Sequence, residues 1–151
     1  MRLTSNILFV CITAIAILAC DNSSTEANSS AIDWNEIPQK CEAMIGDDDI
    51  HTLVYDVVFE DWSLHEFSVF GEDVTTITDT FIGLTESDFD FFCNKSKNNQ
   101  DAKNVTCQDN KITETYNSNG MTALIYGVYL NISCEALLDG GTTAGKFFEA
   151  E

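Results

Sequence analysis

Basic residues are scarce in this chain. Its 151 residues include seven Lys and Arg residues against 25 Asp and Glu residues, which gives a formal charge of −18 at pH 7. Nucleic acids and bare anionic membranes both require clusters of positive charge on their protein partners, so this composition argues against both. A strongly acidic domain loses stability through self-repulsion, but it gains solubility and attracts basic proteins and divalent cations.

The chain also lacks the short motifs that mark common catalytic sites. His65-Glu66 is not followed by a histidine at position 69, which is Val69, so the zinc-protease motif is absent. There is no Gly-x-Ser-x-Gly elbow, and the one glycine cluster, residues 140–145, contains no lysine for binding phosphate. We therefore expect a protein without enzymatic activity and without a cofactor.

An apolar run at the N-terminus is the clearest targeting feature. Arg2 gives a positive start, and residues 7–19 are almost unbroken in apolar character before Cys20. This arrangement is typical of an export signal, and the run is shorter than the roughly 20 apolar residues that span a membrane. Residues 17–19, Ile-Leu-Ala, with Cys20 resemble the lipobox of bacterial lipoproteins.

The lipobox resemblance implies that Cys20 is acylated, becomes the first mature residue and holds the protein to a membrane of the cell envelope, on its periplasmic or surface side. Residues 21–31 are rich in Ser and Asn and contain no large apolar side chain, which is typical of a flexible tether. The expected organisation is a signal peptide (1–19), a lipidated cysteine with its tether (20–31) and one folded domain (32–151). This mature chain keeps six lysines and all 25 acidic residues, a formal charge of −19.

Four cysteines lie in the folded domain, and they are Cys41, Cys93, Cys107 and Cys134. An even number in a small exported domain predicts two disulfides, for which three connectivities exist. We favour Cys93–Cys107, which closes the lysine-rich segment 95–111, together with Cys41–Cys134, which ties the ends of the domain to each other. No pair has the close spacing of zinc ligands, so no metal site is expected.

Sequence patterns predict an α+β domain, a small antiparallel sheet with two or three helices packed on it and two disulfides. Apolar residues at helical spacing indicate a short helix over residues 35–45. Residues 52–59, 64–70 and 74–82 are rich in β-branched and aromatic side chains, which predicts a β-meander. Residues 85–88, Thr-Glu-Ser-Asp, resemble a capping box at the start of a helix.

The two segments that follow this helix start are harder to interpret. The lysine-rich segment 95–111 lacks periodicity and is expected to form a polar surface loop. Asn119-Gly120 is a strong hairpin signal, but a two-residue turn there would produce a poor apolar face. The other interpretation, slightly favoured, is a helix capped at Asn119 that ends near Leu138, because several residues before that end are good helix formers. In both cases residues 124–138 are expected in the core.

The candidate binding residues are an acidic turn and one aromatic residue. Asp47, Asp48 and Asp49 form the turn, and Trp62 is of the type often found at binding hot spots. With the net charge, they predict a non-catalytic lipoprotein that binds a cationic protein, as an inhibitor or an immunity-type protein does.

Two alternatives remain open from the sequence alone. One is a small exported hydrolase, which requires two carboxylates and a histidine to converge in a pocket. The other is a secreted N-glycosylated protein, since five N-x-S/T sequons occur. These sequons are at Asn22, Asn28, Asn94, Asn104 and Asn131.

The lipid anchor predicts a specific mass for the native protein. Protein extracted from membranes should have an intact mass that begins at Cys20 and includes acyl chains, and four cysteines should become alkylatable only after reduction. Mass spectrometry before and after reduction and alkylation measures both. A Cys20→Ala variant should leave the membrane fraction, and its continued flotation with membranes would show that the anchor is wrong.

Overall fold

A computed structural model describes residues 32–33, 35–47 and 50–141, so Cys20 and the expected tether lie outside the described residues. The described part contains one six-stranded antiparallel sheet and two helices. This confirms the α+β class, and of the two or three helices predicted, two are present. The strand order across the sheet is β1-β2-β3-β4-β6-β5. The elements are β1 Lys40–Ile45, β2 Thr52–Val58, β3 Ser63–Phe70, β4 Val74–Ile82, α1 Glu86–Asn98, β5 Asn104–Gln108, β6 Lys111–Asn117 and α2 Ala123–Leu138.

The predicted meander is confirmed as strands β2, β3 and β4, which pair antiparallel in sequence order. Alternate side chains point to opposite faces of a strand, and here one face is covered by the two helices. In β3 the covered face carries Leu64, Glu66, Ser68 and Phe70, all of them buried. The other face remains open to solvent, as is common for antiparallel sheets.

The helix predicted over residues 35–45 is wrong, because residues 40–45 form the edge strand β1. This strand pairs with β2 along its whole length and turns Cys41, Ala43 and Ile45 towards α2. The side chain of Asn131 on α2 accepts a hydrogen bond from the Ala43 N–H (3.1 Å) and donates one to the Ala43 carbonyl (3.2 Å). Pairing with β2 and packing on α2 therefore outweigh the helical spacing of the apolar residues. The Asn131 side chain, which is the acceptor of the last sequon, is engaged in these hydrogen bonds.

The capping interpretation of Thr85 is confirmed, since its Oγ1 accepts a hydrogen bond from the Asp88 N–H at 3.2 Å and α1 begins at the next residue. The prediction that segment 95–111 is a loop is wrong in part, because it includes the short strand β5. Asp109 and Asn110, both in the left-handed conformation (φ 52° and 59°), turn β5 back into β6. This conformation suits Asn and Asp and allows a two-residue hairpin turn.

The helical interpretation of the last third is confirmed by α2, but its N-cap is Thr122 and not Asn119. Asn119 and Gly120 instead form the turn that leads out of β6, with φ values of 47° and 78°. Gly127 lets α2 approach the sheet closely, because a Cβ there would lie 2.8 Å from Ile45 and 2.9 Å from Leu53. Neither described helix is long and apolar enough to cross a membrane.

Both favoured disulfides are present in the structure. Cys41–Cys134 joins β1 to α2 across a sequence separation of 93 residues, and Cys93–Cys107 joins α1 to β5 across 14 residues. Each helix is thus linked covalently to an edge strand of the sheet.

The two disulfides should differ in their contribution to stability. In the chain-entropy model, the loop closed by Cys41–Cys134 contributes about 4.5 kcal/mol and the loop closed by Cys93–Cys107 about 3 kcal/mol. Urea unfolding of the two paired Cys→Ala variants measures this difference against the wild-type protein. A larger loss of unfolding free energy in the variant without Cys93 and Cys107 would contradict it.

Candidate functional site

The outer face of α2 carries a row of large apolar side chains that are exposed to solvent. Leu124, Ile125, Val128 and Ile132 are 49–63 % exposed, and they are called the outer stripe below. Tyr129, 44 % exposed, lies among them. Residues three and four apart share one face of a helix, so the outer stripe is continuous over about two turns. The expectation that residues 124–138 all lie in the core is therefore wrong for half of the helix.

Such a surface is unusual in this domain, because residues 123–134 contain no charged side chain in a chain with 25 acidic residues. A helix that is apolar on all sides is normally buried on all sides. Among the residues that the structure describes, only the inner side is covered, where Tyr126, Leu130 and Leu137 pack on the sheet. Contiguous exposed apolar surface in a soluble domain indicates an interaction site.

Acidic residues lie at both ends of the outer stripe. At the start of α2, the Ala123 N–H donates a hydrogen bond to the Ile50 carbonyl (2.9 Å), which places the helix beside the turn that contains exposed Asp47. At the other end, Glu135 and Asp139 are exposed. Negative side chains at a helix C-terminus interact unfavourably with the helix dipole, so Glu135 and Asp139 do not stabilise the end of α2 through this interaction.

Of the predicted binding residues, Asp47 is exposed in the turn before Ile50, while Asp48 and Asp49 are outside the described residues. Trp62 is 5 % exposed and stacks on Phe59 with ring centroids 4.4 Å apart. Its ring also lies 6.1 Å from that of Phe92. Trp62 is thus part of the core and not an exposed aromatic side chain.

A second cluster of functional side chains lies on the covered face of the sheet. Glu66 and Asp79 are directly opposite each other on β3 and β4, and Glu114 lies on β6 opposite Ile77. Glu66 is 4 % exposed and Glu114 is 0 % exposed. Asp79 is half-buried, and its Oδ1 has no hydrogen-bond partner among the described residues. These three groups are called the carboxyl cluster below.

Burial raises the pKa of Glu66 to about 7, although hydrogen bonds from Ser68 (2.6 Å) and Tyr126 (3.4 Å) oppose the shift. Burial is also the main cause that raises the pKa of Asp79 well above its usual range, and the charges of Glu66 and Glu114 add to it. Tyr116 donates a hydrogen bond to Glu114 and accepts one from Asn99 at the end of α1 (3.2 Å). Burial therefore favours the protonated form of Glu66 and of Asp79 in the folded domain.

The structure does not bring a histidine to the carboxyl cluster. His65 lies on the open face of the sheet, where its Nδ1 is 2.5 Å from Asp56 Oδ1, and His51 is exposed in the turn before β2. Across the described residues, no group of three His, Cys, Asp or Glu side chains is arranged to hold a metal ion. The carboxyl cluster therefore contains neither histidine, and His65 instead lies beside Asp56 and Glu42 on the open face of the sheet.

Both clusters were missed by the sequence interpretation, although each left a signal. For the outer stripe, the signal is the run of uncharged residues 123–134. For the carboxyl cluster, the signal is the alternation in β3, which places Glu66 and Ser68 on the same face as the apolar residues Leu64 and Phe70 and so predicts that they are buried. Phe67 in the opposite phase obscures this pattern, because both faces of β3 then include apolar residues.

Two neighbouring positions on α2 should respond differently to truncation. Leu130 is 1 % exposed, so Leu130→Ala should lower the free energy of unfolding by about 2–5 kcal/mol. Ile132 is 63 % exposed, so Ile132→Ala should change it by less than about 0.5 kcal/mol. Denaturant unfolding measures both, and hydrophobic-interaction chromatography should show weaker retention of the Ile132 variant. Equal destabilisation by the two substitutions would mean that the outer stripe is covered within the chain.

Known proteins give no further guide to this site. Comparison of the chain with protein-family models, with curated proteins and with solved structures finds no match. The functional interpretation therefore depends on the outer stripe, on the acidic residues at its ends and on the carboxyl cluster.

Proposed function

We propose that this chain is a non-catalytic, lipid-anchored acidic protein of the bacterial envelope that binds a cationic protein through the outer stripe of α2, as an inhibitor or an immunity-type protein does. One observation carries the proposal. The outer stripe is an uncharged apolar surface, 49–63 % exposed, with acidic residues at each of its ends.

This arrangement matches the anatomy of protein interfaces, in which an apolar centre is surrounded by a polar rim. Ile125, Val128 and Ile132 supply the centre, and Asp47 and Glu135 supply part of the rim. The complementary partner has an apolar patch flanked by Lys or Arg. Attraction between the rims speeds encounter, and burial of the apolar centre provides most of the affinity.

The expected cellular location is consistent with this function. Two disulfides suit an oxidising compartment such as the cell envelope. Lipid attachment at Cys20 keeps the protein at a membrane. An exported toxin or a basic hydrolase is a partner of the right charge in that location.

The secreted, N-glycosylated alternative differs in one measurable quantity, the mass of the native protein. Glycans at Asn94 or Asn104, both exposed, would add mass in hexose steps and no acyl chain would be present. The outer stripe would remain a binding surface in that case, but for a soluble protein.

The binding surface can be tested by site-specific photo-crosslinking in the native cells. A photoreactive amino acid at Val128 should give one protein adduct, because this position is at the centre of the outer stripe. The matched control is Phe67, which is 43 % exposed on the open face of the sheet and should give none. Mass spectrometry identifies the adduct, and the purified partner should be a basic protein.

Binding of the purified partner then provides the quantitative test. Val128→Asp should weaken the dissociation constant at least about tenfold, because it places a charge in the apolar centre. Raising the salt concentration should weaken binding further, since the rim charges are screened. Adducts formed only from position 67, or a partner whose binding is insensitive to salt, would contradict the proposal.

A further inference from the structure

Glu66, one member of the carboxyl cluster, lies beneath the first half of α2, and Asp79 and Glu114 lie beside it on β4 and β6. Tyr126, in the second turn of α2, lies with its hydroxyl oxygen 3.4 Å from Glu66 Oε2. The second half is attached elsewhere, through Asn131 to Ala43 and through the Cys41–Cys134 disulfide. One half of the helix therefore covers ionisable groups, and the other is fixed to the edge strand.

We propose that the carboxyl cluster makes the packing of the first half of α2 dependent on pH, so that this half is closed over the sheet in acid and opens as the pH rises through neutrality. Ionising two carboxyl groups that lie directly opposite each other on adjacent strands creates repulsion at a distance of roughly 5 Å. Water relieves this repulsion, and it enters where α2 separates from the sheet. The disulfide and Asn131 keep the second half in place while the first half moves.

The groups that face the carboxyl cluster make its ionisation costly. Tyr55 on β2, Tyr116 on β6 and Tyr126 on α2 contribute hydroxyl groups and no positive charge, and the β1 side chains that face α2 are not ionisable. His65 lowers the pKa of Glu66 from the opposite face of the sheet. On α1, Asp88 is buried near the N-cap and Lys95 is half-buried.

The direction of the effect follows from linkage between protonation and folding. Burial raises the pKa of Glu66 from 4.5 to about 7, so the folded state binds more protons than the unfolded state between these values. The contribution of Glu66 to the free energy of unfolding is therefore greatest below about pH 4.5, and this contribution is lost as the pH rises through about 7. Asp79 acts in the same direction, because burial and its acidic neighbours raise its pKa as well.

The first experiment is thermal unfolding of the disulfide-bonded protein between pH 5 and pH 8 in 1 M NaCl. At this salt concentration the Debye length is about 3 Å, so repulsion between surface carboxylates is screened while the buried groups are affected little. The Tm should fall by on the order of 10 °C over this range. A Tm that does not depend on pH in 1 M NaCl would overturn the proposal.

The second experiment replaces the titrating groups. The Glu66→Gln, Asp79→Asn double variant resembles the protonated state and should lose most of the pH dependence of the Tm. The matched control is Glu72→Gln, Asp73→Asn, which removes two exposed carboxylates in the turn between β3 and β4, and it should behave as the wild-type protein does. If the double variant does not fold, Glu66→Gln alone gives the same comparison.

Hydrogen exchange locates the movement. Between pH 5.5 and pH 8, after correction for the intrinsic pH dependence of exchange, protection of residues 123–130 should fall at least about tenfold more than that of residues 131–138. Equal loss in the two halves would overturn the assignment to the first half of α2. None of these measurements uses a binding partner, so their outcome is independent of the function proposed for the outer stripe.

Discussion

The attachment of α2 to the edge strand β1 is the constraint on which most of this structure depends. A disulfide to Cys41 and two hydrogen bonds between the Asn131 side chain and the Ala43 backbone fix the helix, and Gly127 lets it lie close to the sheet. Because one side of the helix packs on the sheet, its opposite side is exposed to solvent. The outer stripe is thus a consequence of where α2 is fixed as well as of its apolar sequence.

The two halves of the covered face achieve stability by different means. Under α1 the core is aromatic, with the rings of Phe81 and Phe92 stacked at 4.8 Å and those of Phe59 and Trp62 at 4.4 Å. Under α2 the core mixes tyrosine hydroxyls with carboxyl groups, which resist burial unless they are protonated. The α2 half thus combines an ionisable interior with an exposed apolar exterior.

The sequence was sufficient where structure arises from local patterns and insufficient where it arises from distant pairing. The meander and the cap at Thr85 depend on neighbouring residues, and both were predicted. Strand β1 was not, because residues 40–45 become a strand only by pairing with β2 and α2. The orientation of α2 was also beyond prediction, since a helix that is apolar on every side does not indicate which side faces the core. The burial of Trp62 was beyond prediction for a related reason, because an aromatic residue next to a turn is compatible with the core and with an exposed surface.

The hydrogen bonds of Asn131 have a consequence for copies of this protein at high local density. An uncovered edge strand is a template on which a second chain adds by backbone pairing, and repeated addition leads to aggregation. In β1 the backbone groups of Ala43 that face away from β2 are already bonded to the Asn131 amide, at the middle of the strand. Growth of the sheet in that direction is interrupted there, so the pairing of a second chain with β1 is disfavoured.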